Sequence, residues 1–390
     1  MKIAVVCDSF KGSLTSKDAC AAVKDGLLRC NKNFEVLSLP FADGGEGTSR
    51  CFYDILGGQI RKAAVHDPLL REITAEYTVL PDGTAVIDIA SASGLTLLKS
   101  SERDAVKVSS LGSGELICDA AEHGAKHIIL GLGGSATTDA GTGILYALGM
   151  RFFSEDGAEV LPDGQNMIRV KKIRRTENFE RFKDIKFTLA CDVTNPLCGE
   201  NGAAYVFSPQ KGASKNDVKL LDDGLRNMGE IFEKASGKKI INLPGAGAAG
   251  GIGGGLSAFL NCELQSGFDV LARAASLEDK IRRSDAVITG EGKTDSQTLF
   301  GKLPKRVSDI AEKFGVPCIL LSGDVENDIS AEKLGVCEIH KIKENGISLE
   351  HCMKNAASLL SERAFAIGKD SKIINKQYSR KQEKMRENER

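Results

Sequence analysis

At 390 residues the chain is too long for one ordinary hydrophobic core, so two domains are expected. Its 42% hydrophobic and 27% charged content is that of a soluble globular protein, and a net charge of −1 excludes a global field that would draw in nucleic acid or a membrane surface. Tryptophan is absent, aromatics are 5%, the eleven cysteines form no Cys-x-x-Cys pair and the five histidines show no ligand spacing, which argues against base stacking and zinc and for reduced thiols in the cytoplasm. No basic-then-apolar leader and no run long enough to span a bilayer is seen.

Lys2–Cys7 is a short apolar, β-branched run, which predicts a central parallel strand. It ends in Asp8-Ser9-Phe10-Lys11-Gly12, and Ser16 is the expected N-cap of a helix over Lys17–Arg29. Sites of open parallel sheets lie outside the carboxyl ends of the strands, so Asp8 and Lys11 stand where chemistry happens. A second strand, Phe34–Leu39, runs into a turn bearing Asp43, Gly44, Gly45 and Glu46, then a helix over Ser49–Leu56. Ile73–Leu80 alternates, Pro81–Thr84 turns and Ala85–Ile89 returns, a β-hairpin that signals an inserted domain.

After a helix over Gly112–His123 comes the stretch that organises the chain, Ile128–Gly143. It begins as a buried strand and breaks at Gly131, Gly133 and Gly134, which let backbone N–H groups approach an anion. Ser135, Thr137 and Thr138 then add donors, Asp139 can hold a cation or orient a hydroxyl, and Ile144–Leu148 reads as a helix behind the turn. Strands are expected at Met150–Phe153 and Lys186–Ala190, and Asp192 follows the latter as a metal ligand, a general base or a simple Asx turn. Ala203–Phe207 reads as another strand, which leaves Lys211 between strand and helix as a phosphate contact or a solvated cap. Pro244–Gly255 holds a literal G-x-G-x-x-G, but it comes late and after a proline, so a loop closing over a ligand or a domain hinge fits better than a dinucleotide fingerprint. Asp285–Gly292 is again a strand with Gly290 and Glu291 at its end, followed by Lys293, Asp295 and Lys302. Val316–Ser322 and Val336–Ile342 are further strands, with helices over Lys302–Phe314 and Ser348–Ile367.

Five βα-type strands split by the hairpin predict an α/β protein: a flavodoxin-like parallel-sheet domain over 1–60 and 262–370, an inserted mixed-sheet domain over 61–261, and a charged, frayed or disordered tail over 371–390. Carboxylates, lysines and glycine cradles at strand ends are the parts that phosphoryl transfer needs, although no Walker A or protein-kinase signature occurs.

Asp8–Leu14, Ala42–Thr48, Gly131–Gly143, Ala190–Gly199, Phe207–Ala213, Pro244–Gly253 and Ile288–Lys302 together resemble, in order, the motifs of the bacterial type I glycerate kinases. The resemblance implies a flavodoxin-like domain with a second domain like that of restriction endonucleases, and an ATP- and Mg²⁺-dependent phosphorylation of D-glycerate in glyoxylate, glycerate or sugar-diacid breakdown, with 2-phosphoglycerate as product. Thr138 and Ala140 stand where the family usually has Asn and Gly, and Asp88-Ile89-Ala90 replaces Glu-Met-Ala. Glycerate is expected between the domains, its carboxylate on Lys11, with Asp192 or Asp43 taking the hydroxyl proton and Asp8 beside them. Ser9, Gly44, Gly45, Gly133, Gly134, Ser135, Thr137, Lys211, Gly290, Lys293, Asp295 and Lys302 are the expected substrate and nucleotide contacts, and Asp139, Glu291 and Glu46 the expected metal ligands. The expected protein is a monomer or homodimer with no nucleic-acid or membrane partner. A dehydrogenase using NAD at Gly245–Gly250 and a non-catalytic hydroxy-acid sensor are the rival readings.

Overall fold

The computed structural model describes residues 1–42, 44–161, 163–344 and 346–379. In chain order its strands are β1 (Lys2–Cys7), β2 (Glu35–Pro40), β3 (Gln59–His66), β4 (Glu72–Val79), β5 (Ala85–Asp88), β6 (His127–Gly131), β7 (Met150–Phe153), β8 (Lys172–Arg175), β9 (Lys186–Ala190), β10 (Asn261–Gln265), β11 (Ala286–Gly290), β12 (Lys293–Thr294), β13 (Cys318–Ser322), β14 (Asp324–Val325) and β15 (Glu338–Lys341). The chain divides into two units, Met1–Asp43 with Leu271–Arg390, and Gly44–Val270.

In the first unit a parallel sheet runs β15-β13-β11-β1-β2. Counted along that unit the order is 2-1-3-4-5, the flavodoxin-like arrangement, whose switch point lies between β1 and β11. The five expected strands all form: the inner three, β1, β11 and β13, are short apolar runs that a doubly covered parallel sheet can bury on both faces, β11 and β13 throughout, whereas the edge strands β2 and β15 are only partly buried. Helix α1 (Ser16–Cys30) contributes Ala19, Val23 and Leu27 to a core with Ile3, Val5, Ile288 and Ile319. Its N-cap is Thr15 rather than the expected Ser16: Thr15 Oγ1 accepts from the Asp18 N–H at 3.1 Å, whereas Ser16 Oγ donates to the Phe41 carbonyl at 2.7 Å. The single helix expected over 348–367 is two, Leu349–Lys354 and Ala356–Asp370, broken at Asn355. Of the tail expected over 371–390, residues 372–379 are helical, with Ile374 buried in the core and Tyr378 meeting Phe34 edge-on at 5.8 Å, and 380–390 lie outside the described residues.

The second unit is built on a mixed sheet, β10-β9-β6-β5-β4-β3. The expected hairpin is β4 and β5, and β3, absent from the sequence reading, pairs antiparallel with β4 along eight residues. Helix α2 (Thr48–Leu56) packs on β4 and β5, with Ser49 Oγ donating to the Val86 carbonyl at 2.9 Å, and β10 pairs with β9. The junctions therefore fall at 43/44 and 270/271 instead of 60/61 and 261/262. Ala203–Phe207 is a helix, not a strand: five apolar residues carry no period that distinguishes the two. The glycine-rich segment becomes the helix Ala248–Phe259, entered through left-handed residues Ala249, Gly250 and Gly251. It lies wholly inside the second unit with its glycines buried, so it is packing and not a domain hinge.

Candidate active site

In the second unit, two glycine turns that are far apart in sequence lie against each other at the carboxyl ends of β5, β6 and β9. The Gly133 N–H donates to the Gly44 carbonyl at 3.1 Å, and a Cβ on Gly133 would sit 2.4 Å from the Gly45 Cα. Asp88, at the end of β5, accepts from the Gly47 and Ser49 N–H groups, both at 2.9 Å, and so pins the first turn and the start of α2. Burial pushes its carboxyl up from the usual 3.8 to about 7, against the pull of those two N–H bonds and with a push from Glu46. Asp88 thus serves as a bracket for the Gly44–Gly47 turn. Glu46 is exposed beside Gly134.

The Asp88 shift fixes a pH dependence. The folded carboxyl holds its proton up to about pH 7 while the unfolded one loses it near 3.8, so the stability it confers is present below the unfolded value and is lost as pH rises through about 7. Urea midpoints at about pH 5 and about pH 8 are expected to fall more for the wild type than for Asp88→Asn, which cannot charge; parallel falls would refute this.

Behind the second turn, Asp139 is not placed to hold a metal. It is fully buried and accepts from Ser110 N (2.9 Å), Ser110 Oγ (2.7 Å), Gly141 N (3.0 Å) and Gly143 N (3.3 Å), so a cation would have to displace protein donors. Burial raises its carboxyl and these donors pull it back. Lys211 and Thr137, expected as ligand contacts, are buried as well. Lys211 Nζ donates to Ser135 Oγ at 2.9 Å and to the Thr137 carbonyl at 2.7 Å, and burial pushes the ammonium down to about 7. Thr138 and Ser208 share a 3.0 Å hydroxyl bond, the Ala140 N–H donates to the Gly250 carbonyl at 3.0 Å, and the Gly247 N–H to the Asn195 carbonyl at 3.0 Å. The stretches around 131–143, 190–199, 207–213 and 244–253 are therefore one packed assembly. Ala140 takes a left-handed φ of 54°, a conformation that glycine adopts more readily. Asp192 is exposed just beyond β9. Ser110 and Ser208 were missed as partners; their only sequence signal was a hydroxyl next to a helix start or inside a matched motif.

In the first unit, Asp8 follows β1, and its N–H donates to the Gly290 carbonyl at 2.9 Å at the end of β11. The Ser9 N–H donates to Asp8 Oδ1 at 2.6 Å, and Ser9 and Lys11 are exposed. Glu291 is buried, accepts from Thr298 Oγ1 at 2.7 Å, and has its carboxyl raised by burial against the pull of Thr298, Thr294 and Lys302. Asp295 caps the short turn Ser296–Phe300 and pairs with Lys302 at 3.5 Å. Lys293 pairs with Glu326 at 2.7 Å on the surface. Asp43 lies outside the described residues. Among the described residues no three His, Cys, Asp or Glu side chains gather into a metal cluster.

The glycerate kinase family model matches residues 3–372. The chain belongs to the glycerate kinase family. It is 38% identical to a glycerate kinase of Halalkalibacterium halodurans over 93% of this chain and 96% of that one. It is 41% identical to the glycerate 2-kinase of Escherichia coli, over 84% and 87%. A crystal structure of a glycerate kinase 2 from Salmonella typhimurium superposes with a TM-score of 0.84 at 35% identity, covering 95% and 97%. As a member of this family the enzyme is a transferase and a kinase, for which ATP is the expected donor. The rival dinucleotide site at 245–250 is not available in this kinase: a Cβ on Gly250 would lie 2.0 Å from the Thr137 carbonyl, so that backbone faces protein. No helix among the described residues is long and apolar enough to cross a membrane.

Proposed function

We propose that the enzyme transfers the γ-phosphoryl group of ATP to the 2-hydroxyl of D-glycerate, giving 2-phosphoglycerate, in the breakdown of glyoxylate, glycerate or sugar diacids. The observation that carries the regiochemistry is the 41% identity to a glycerate 2-kinase across 330 residues. Lys11, exposed after β1, is the partner for the substrate carboxylate. Asp192 is the general base for the hydroxyl, with Asp43 the second candidate. Lys302 and Lys293 can exchange their surface carboxylate partners for phosphates, since such pairs are weak in water. The turns at 44–45 and 133–134, buried at Gly44 and open at Gly134, offer backbone N–H groups for close approach to an anion. Ser9, Gly290 and Asp295 frame the first unit's loops.

Glu291 and Asp8 fit Mg²⁺ by their chemistry: oxygen donors at the ends of adjacent strands, with one Glu291 oxygen held by Thr298. Nucleotide-bound Mg²⁺ needs only one or two protein carboxylates, so the lack of a three-residue cluster does not count against them. When bound, the ion neutralises charge on the transferred phosphoryl group. Eleven cysteines outside any disulfide support a cytoplasmic setting.

A ³¹P NMR spectrum of the product from ATP and D-glycerate tests the reading. The expected signal is 2-phosphoglycerate; the 3-isomer would overturn the regiochemistry, and no transfer would overturn glycerate as acceptor.

A further inference from the structure

Lys211 has an unusual setting. Its side chain is 4% exposed, and its ammonium donates to a hydroxyl and a carbonyl, Ser135 Oγ at 2.9 Å and Thr137 O at 2.7 Å. Asp139, the carboxylate whose charge bears on it, is committed to four other donors. Among the described residues no counter-ion contacts this ammonium; burying it so is costly, and a neutral side chain would brace the same two oxygens more cheaply. The charge therefore calls for a use beyond bracing.

Ser135 supplies the link. It is 6% exposed and follows Gly133 and Gly134, of which Gly134 is exposed. A hydroxyl has one proton and two lone pairs. In its protonated form, which burial confines to pH below about 7, Lys211 donates to Ser135 Oγ, so one lone pair is occupied and the Ser135 proton is directed away from the ammonium. Hydrogen bonds in sequence polarise one another, so an O–H whose oxygen accepts from a cation is a stronger donor. The Thr138–Ser208 bond holds the two segments together three residues from each of these groups.

We propose that Lys211 is a positioning residue that acts through the Ser135 hydroxyl on an anionic group, carboxylate or phosphate, held at the 133–135 turn. This rests on the kinase reading for the identity of the anion, since glycerate brings the first and ATP the second. Lys211 itself touches no ligand: it orients and polarises the donor that does.

The test is a double-mutant cycle read by binding calorimetry, so that it does not depend on turnover. Wild type, Lys211→Met, Ser135→Ala and the double variant are titrated separately with D-glycerate and with ATP. Each single variant is expected to weaken one of the two ligands by about 10-fold or more, the magnitude of a hydrogen bond to a charged group. The double variant is expected to bind no worse than the weaker single. The ligand affected tells whether the turn holds the carboxylate or the phosphate. Additive losses, or unchanged affinity for both ligands, would overturn the proposal. Lys211→Gln keeps a donor for bracing and removes the charge, and covers the case in which Lys211→Met does not fold. It is expected to melt like the wild type and bind like Lys211→Met; wild-type affinity in this variant would make Lys211 a brace only and overturn the proposal. A wild type that binds both ligands but yields no phosphoglycerate would strike the function and leave this result standing.

Discussion

Gly250→Ala is expected to destabilise the protein by about 2–5 kcal/mol, from overpacking plus the left-handed penalty. Gly250 has φ 71°, and a Cβ there would lie 2.0 Å from the Thr137 carbonyl and 2.6 Å from the Thr138 Cα. The obstructing atoms are backbone, so no rotamer change relieves the contact. They belong to the segment that carries Ser135 and Lys211's acceptors, so the damage reaches the candidate site. Gly124→Ala is the control: its φ is 90° but nothing lies within 4 Å of the added carbon. The difference between the two urea unfolding free energies isolates packing from backbone strain. Equal losses would show that the close approach of 250 to 137 is absent in solution.

Asp192→Asn is expected to lower kcat by about 10²–10⁴-fold, the usual contribution of a general base. The residue is exposed directly after β9, at the sheet end where the 44–47 and 133–134 turns also lie. Asparagine keeps size and most hydrogen bonding but cannot take a proton at neutral pH. ATP affinity is expected to stay within about threefold, because the substitution leaves Lys293 and Lys302, the lysines proposed for the phosphates, alone. Near-normal turnover would remove Asp192 as the base and turn attention to Asp43. A loss in ATP affinity equal to the loss in kcat would recast Asp192 as a nucleotide contact.

Some parts of the molecule were legible residue by residue. The strands of the first sheet were, because Lys2–Cys7, Ala286–Gly290 and Cys318–Ser322 are apolar runs whose only stable place is inside a covered parallel sheet. The β4–β5 hairpin was, from alternation around Pro81–Gly83. Short or glycine-rich stretches were not. Five apolar residues at 203–207 satisfy a strand and a helix equally, and what settles the matter is packing against the helices Lys215–Ser236 and Ala248–Phe259. The same holds for Gln59–His66, whose pairing with β4 sets the domain junction.

By itself, the sequence determined that this is an α/β protein whose strand ends carry acids, lysines and glycines, since composition and hydrophobic period report where backbone must be buried and where it must turn. Tertiary structure alone decided which of those groups face outward. Asp139, Thr137 and Lys211 have the same chemistry in the sequence as Glu46, Ser9 and Lys11, yet the first three are enclosed by neighbours that the chain brings from 29 to 76 residues away, and the last three are exposed. Burial depends on what packs against a residue, and those contacts exist only once the whole unit has folded.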